Sequence, residues 1–157
     1  MSTPAPYGGR RLIADTSVWT ALERARKLGN TPPDWIAAVE ADQILTHPVV
    51  MLELLHSARN NDEFLHLRER FERLRLIQLT QTACQSAIDA LGQLAAKSDC
   101  YHRVDLGDAL VAASAADVNP AVGVLHYNHK DFEKLAEVLS FDAVAFGAPG
   151  EFEAAAT

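Results

Sequence analysis

The chain has 157 residues, 48% of them hydrophobic and 22% charged, a composition that fits one globular domain with a single sizeable core. Its formal net charge of −7 disfavours a broad non-specific nucleic-acid binder, which needs a basic face, yet leaves room for an acidic cation-holding pocket with a few local Arg and Lys for phosphates. Cys84 and Cys100 form no CxxC pair and no zinc-finger spacing, and no apolar run approaches the length of a membrane span, so the expected setting is the reducing cytoplasm with no membrane contact.

Residues 1–11 combine Pro, Gly and small residues without an apolar core, and read as a flexible N-terminal arm rather than a signal peptide. LIADT reads as the first strand. SVWTALERARKL carries Val18, Ala21, Leu22 and Ala25 at helical spacing and stops at Gly29. TPPDWIAAVEA is a second helical piece, suited to begin at Pro32 and Pro33. QILTH is a second strand, after which Pro48 opens a helix through VVMLELLHSAR, broken by NND. EFLHLRERFERL is an amphipathic helix with a charged outer face, LIQL a short third strand, TACQSAIDALGQLAAKS a long helix, and DLGDALVAASAAD an Ala-rich helix that must pack closely. VGVLHY is the fourth strand, DFEKLAEVL the helix after it and DAVAF a last strand. Strands separated by helices predict an α/β fold, a three-layer α/β/α sandwich around a mainly parallel central sheet. The domain is expected over residues 12–147, with 148–157 as a C-terminal tail. Ligand sites in such sheets lie beyond the carboxyl ends of the strands.

Four carboxylates interrupt or border apolar elements. Asp15 ends the first strand, Glu53 lies inside the nearly all-apolar VVMLELLH, Asp108 starts the Ala-rich helix, and Asp131 follows the fourth strand. Each has a local explanation: Asp15 as a turn residue, Glu53 as an exposed residue or a partner of Arg59, Asp105 and Asp108 as a helix start, and Asp131 likewise. Jointly they point elsewhere. An α/β fold can turn all four towards one crevice, where clustered carboxylates repel and raise each other's pKa unless a cation sits between them. Mg²⁺ takes oxygen ligands, keeps several waters and needs only a few carboxylates.

IADTSVW, VVMLELLHSAR, HRVDLGDALVAASA and LHYNHKDFEKLAEV, in this order and spacing, resemble the motifs of PIN-domain ribonucleases, with VapC toxins of bacterial toxin–antitoxin pairs as the nearest likeness. The resemblance runs from about Leu12 to Phe146. It implies a metal-dependent endoribonuclease with Mg²⁺ or Mn²⁺ in an acidic pocket, a homodimer, and inhibition by a VapB-like antitoxin. Carried onto this chain, it makes Asp15, Glu53, Asp108 and Asp131 the catalytic set. Asp15, Asp108 and Asp131 would hold metal, and Glu53 would orient or deprotonate the attacking water. Thr16 or Ser17 matches a hydroxyl that helps hold the first Asp. Asn128 stands where many relatives have Asp, and Asp131 is favoured as the ligand there. His102, His126 and His129 are not required by metal-assisted hydrolysis. Arg59, Arg103 and Lys130 adjoin the acidic motifs as phosphate contacts, while Arg68, Arg70, Arg73 and Arg75 could guide RNA or an antitoxin. Trp19 and Trp35 read as packing residues.

Other α/β enzymes fit less well. A haloacid-dehalogenase-type phosphotransferase needs a second Asp at the position of Ser17, and a receiver domain needs an Asp after its third strand, where LIQLTQTA has none. The remaining alternative is a non-catalytic PIN-like RNA-binding or interaction module.

Overall fold

The computed structural model describes residues 4–118 and 122–147, so the expected 148–157 tail lies outside the described residues. In chain order the elements are β1 (Leu12–Ala14), α1 (Thr16–Lys27), α2 (Pro33–Glu40), β2 (Ile44–Thr46), α3 (Pro48–His56), α4 (Asn61–Glu72), β3 (Arg75–Leu76), α5 (Gln81–Lys97), α6 (Leu106–Asp117), β4 (Gly123–His126), α7 (His129–Ala136) and β5 (Asp142–Ala145). The sheet runs β3-β2-β1-β4-β5, and all four neighbouring pairs are parallel. Parallel crossovers are right-handed. Because the chain steps one way from β1 to β3 and the other way from β4 to β5, α1 to α4 cover one face and α5 to α7 the opposite one. The reversal falls between β1 and β4, opening a crevice past their carboxyl ends.

Leu12, Ile13, Ala14, Val124 and Leu125 are wholly buried. Helices on both faces are the reason these strands are apolar runs rather than alternating ones. At Gly123, a Cβ would stand 2.7 Å from Leu12 Cδ2 and 2.9 Å from the Asp142 carbonyl oxygen, so only glycine lets β4 lie this close between β1 and β5. On the face of α1 to α4, Trp19 meets Trp35 and Phe71 edge-on, with ring centroids 5.2 and 5.0 Å apart. Both tryptophans are buried, in the packing role expected of them.

Three local expectations need correction. Part of the stretch read as a flexible arm is tied down. Pro6–Gly9 form a short 3-10 turn, Gln43 Nε2 donates to the carbonyls of Pro6 (3.1 Å) and Arg10 (2.9 Å), and Tyr7 packs on the core. The third strand, expected over LIQL, is Arg75–Leu76; it is an exposed edge strand paired only with β2, so burial does not mark it in the sequence. Arg59 pairs with Glu63 and not with Glu53, because α3 ends at His56 and Asn60 caps α4 by accepting from the Glu63 N–H at 2.9 Å.

Candidate active site

Asp15 is delivered by β1. Its own N–H extends the strand by donating to Leu125 O at 2.9 Å, and its carboxylate then caps α1, accepting from the Ser17 N–H at 3.2 Å and the Ser17 hydroxyl at 2.7 Å. Ser17 Oγ in turn accepts from the Tyr127 N–H at 2.9 Å, fastening the turn to the end of β4. Asp15 is thus buried at the strand-order reversal. A core strand ends on this ionisable group because the next helix begins there and its free amides receive the charge.

Asp108 is the second buried acid. Asp105 caps α6 by accepting from the Asp108 N–H at 3.1 Å, which places Asp108 in the first turn. Asn128, at the start of α7, donates from Nδ2 to Asp108 Oδ2 at 2.9 Å and to Asp131 Oδ2 at 3.3 Å. Asp131 Oδ2 also accepts from the Asp105 N–H at 3.1 Å, clasping α7 to the start of α6. Glu53 reaches the same crevice from α3. Its Oε2 accepts from the Thr16 hydroxyl, and its Oε1 lies against Gly107.

The four acids named from the sequence are therefore linked around one crevice. Asp105 is a fifth that sequence reasoning assigned only to helix capping; its spacing of three from Asp108 was the signal available. Thr16 and Ser17 divide the expected hydroxyl role, Thr16 holding Glu53 and Ser17 holding Asp15. Asn128 directs its amide nitrogen at the acids. Arg103 and Lys130 are exposed, whereas Arg59 is occupied by Glu63. His126 is buried against Phe132, and burial, with His129 beside it, lowers its pKa to about 4. His47, wholly buried, is also lowered to about 4 by burial, and its Nε2 lies 2.8 Å from Ser114 Oγ. Both rings are neutral at pH 7, which removes them as cationic phosphate ligands.

Burial, and next the charge of Asp15, followed by Asp105 and Asp131, raises the Asp108 pKa to about 8, against a partial offset from the Asn128 hydrogen bond. Asp15 is also raised, first by burial and with a contribution from Asp105, while the Ser17 and Thr16 hydrogen bonds oppose the shift. Among the described residues no three His, Cys, Asp or Glu side chains close into a ready-made cation cage. Mg²⁺ demands less, one or two carboxylates with waters filling the rest of its shell. The donor set fits that demand: two buried carboxylates, all-oxygen and mutually repelling, with the crevice open on the Glu53 side.

Gly107 sets how closely Glu53 approaches α6. A Cβ there would overlap Glu53 Oε1 and come within 3.3 Å of Val49 Cγ1. Gly107→Ala is expected to retain the fold, since alanine favours a helix by up to about 1 kcal/mol over glycine. It is also expected to cut turnover about tenfold or more by displacing Glu53. Thermal melting and kcat measured on the same preparation check this; unchanged kcat would mean that Glu53 does not work from this position.

The PIN domain family profile matches residues 12–138. The chain is 30% identical to Ribonuclease VapC18 of Mycobacterium tuberculosis over 125 residues, covering 79% of this chain and 86% of that one. Among solved structures, DNA-bound VapBC from Salmonella typhimurium superposes with a TM-score of 0.67 at 15% identity, covering 87% of this chain and 98% of that one. VapBC-5 of Mycobacterium tuberculosis, a member of the VapBC family of toxin–antitoxin systems, gives 0.58 at 21% identity, covering 87% and 99%.

Proposed function

Because the chain belongs to the PIN domain family and is related to a VapC ribonuclease, we propose that its acidic crevice hydrolyses RNA phosphodiester bonds with the help of Mg²⁺, or Mn²⁺ in its place. The protein is an endoribonuclease, the toxin of a type II toxin–antitoxin pair. The observation that carries the site assignment is the buried Asp15–Asp108 pair, whose pKa values are raised first by burial and then by neighbouring carboxylates, Asp105 for Asp15 and chiefly Asp15 for Asp108, a cost that a cation relieves.

Asp15 and Asp108 would hold the cation, with Asp131 completing the acidic rim. When bound, the cation acidifies water and offsets the charge that builds on the phosphate oxygens. Ser17 keeps the Asp15 carboxylate fixed, and Asn128 does the same for Asp108. Glu53, oriented by the Thr16 hydroxyl, takes the proton from the attacking water as general base. Attack by water leaves a 5′-phosphate and a 3′-hydroxyl. No 2′-hydroxyl nucleophile and no histidine pair are needed.

A VapB-like antitoxin is the proposed protein partner, supported by the VapBC complexes among the structural neighbours. A second copy of the chain is proposed against α3 and α6, where Leu52 and Leu106 are 67% and 68% exposed. Among the described residues no helix is long and apolar enough to cross a membrane, and the proposed place of action is the cytoplasm, where RNA and antitoxin are met.

Incubation of a structured RNA with purified protein is expected to give metal-dependent cleavage that EDTA stops, excess Mg²⁺ restores and Asp15→Asn abolishes. Cleavage that persists in Asp15→Asn would overturn the site assignment. RNA retained but uncut in Mg²⁺ by the unsubstituted chain would favour the non-catalytic module.

A further inference from the structure

Asn128 stands at the N-cap position of α7, where an asparagine ordinarily serves its own helix by accepting from a free amide of the first turn. Its side chain makes no such bond. It turns instead into the acidic crevice, where Nδ2 donates to Asp108 Oδ2 at 2.9 Å and to Asp131 Oδ2 at 3.3 Å. Helix capping, the local reason for an asparagine here, is therefore not the use the fold makes of it.

Asp131 is held twice over. The Oδ2 that accepts from Asn128 also accepts from the Asp105 N–H at 3.1 Å. Asp131 lies besides in the first turn of α7, where free helix amides favour a negative charge. The Asp15–Asp108 pair is different. Ser17 fastens Asp15 and Asn128 fastens Asp108, but among the described residues no single donor bridges those two carboxylates.

The two gaps differ chemically for that reason. An amide NH₂ offers two hydrogens and is only a donor. A cation entering between Asp108 and Asp131 meets the positive ends of those N–H dipoles and has to expel the amide first. Entry between Asp15 and Asp108 requires no such displacement.

We propose that Asn128 closes the Asp108–Asp131 side of the crevice to cations, so that the site takes one divalent ion, at Asp15 and Asp108, while Asp131 clasps α7 to α6. The proposal rests on the metal-site reading and deepens it by fixing how many cations the crevice admits. An aspartate at position 128 reverses the relation. It has no hydrogen to donate when ionised, and its charge adds to those of Asp108 and Asp131, so a second cation becomes the means of holding three carboxylates together.

The test counts Mn²⁺ bound to the full chain without RNA, by titration calorimetry and by loss of the free-ion electron paramagnetic resonance signal. The unsubstituted chain is expected to bind about one Mn²⁺, a load that one or two carboxylates with waters can carry. Asn128→Asp is expected to bind about two, with the broadened spectrum of a spin-coupled pair, since ions sharing such a site lie roughly 4 Å apart. Asn128→Ala, which removes the donor without adding charge, is expected to admit the second ion about tenfold more weakly than Asn128→Asp. Melting curves in EDTA and in Mn²⁺ establish that each variant is folded. Two ions on the unsubstituted chain overturn the proposal and leave the metal-site reading standing. A count of one on either folded variant overturns it as well, because Asn128 is then not what excludes the second ion. If the unsubstituted chain binds no Mn²⁺, the metal-site reading falls and the proposal with it.

Discussion

Asp108→Asn is expected to reduce RNA cleavage about a thousandfold or more while making the metal-free protein more stable at pH 8. The activity loss follows from removing one of two buried carboxylates proposed to hold the cation, which is asked to supply several kcal/mol of transition-state stabilisation, each 1.36 kcal/mol being a factor of ten. The stability gain follows from linkage. With its pKa raised to about 8 in the folded state, above its ordinary 3.8, Asp108 binds a proton more tightly folded than unfolded. The stability this contributes is complete below about pH 4 and is lost as the pH rises towards 8. Asparagine resembles the protonated acid in shape, and its side-chain oxygen can still accept from Asn128. The variant should therefore escape that loss, a gain on the order of a few kcal/mol at pH 8. In EDTA, the unsubstituted protein should melt progressively earlier from pH 5 to pH 8 and the variant should not. Mg²⁺ at pH 8 should raise the melting temperature of the unsubstituted protein alone. A flat profile for the unsubstituted protein in EDTA would remove buried charge repulsion from the site.

Trp19→Ala is expected to cost about 3–5 kcal/mol, the range for deleting a buried aromatic side chain. Against a total of about 5–15 kcal/mol for a typical domain, that is a third or more of the stability. The ring is 8% exposed and is gripped edge-on by Trp35 and Phe71, with Arg70 alongside. Trp19→Phe should be far milder. It preserves most of the apolar volume and removes the indole Nε1, which is buried without a hydrogen-bond partner. Urea unfolding of the two variants separates the contributions: similar losses in both would mean that the indole outline, and not aromatic burial, holds α1 against α4.

What the sequence disclosed followed from burial. Leu12–Ala14 and Gly123–His126 are legible as strands because both faces are covered, and an acid ending such a run is conspicuous; Asp15 was found for that reason. Asp108 was visible at the head of an alanine-rich helix. The strand Arg75–Leu76 was expected to start one residue later and to run three residues further, because an exposed edge strand carries no apolar signature. Asp105 stayed hidden because its capping of α6 is sufficient reason for an Asp there, and nothing local tells that Asp15 lies close by. Gly107 was overlooked for a related reason: a glycine near a helix start looks incidental until Glu53, 54 positions earlier, is seen pressed against it. The Asn128 bridge to Asp108 and Asp131 likewise depends on directions that spacing does not encode.

The placement of β1 between β2 and β4 bears on when the toxin becomes dangerous. As the ribosome extrudes the chain, Asp15 emerges early, but its neighbour strand β4 and the Asn128 clamp follow more than a hundred residues later. Until then β1 has an open flank and the acids have no common wall. The acidic crevice therefore cannot assemble until β4 and the Asn128 clamp have been made, long after Asp15 has left the ribosome.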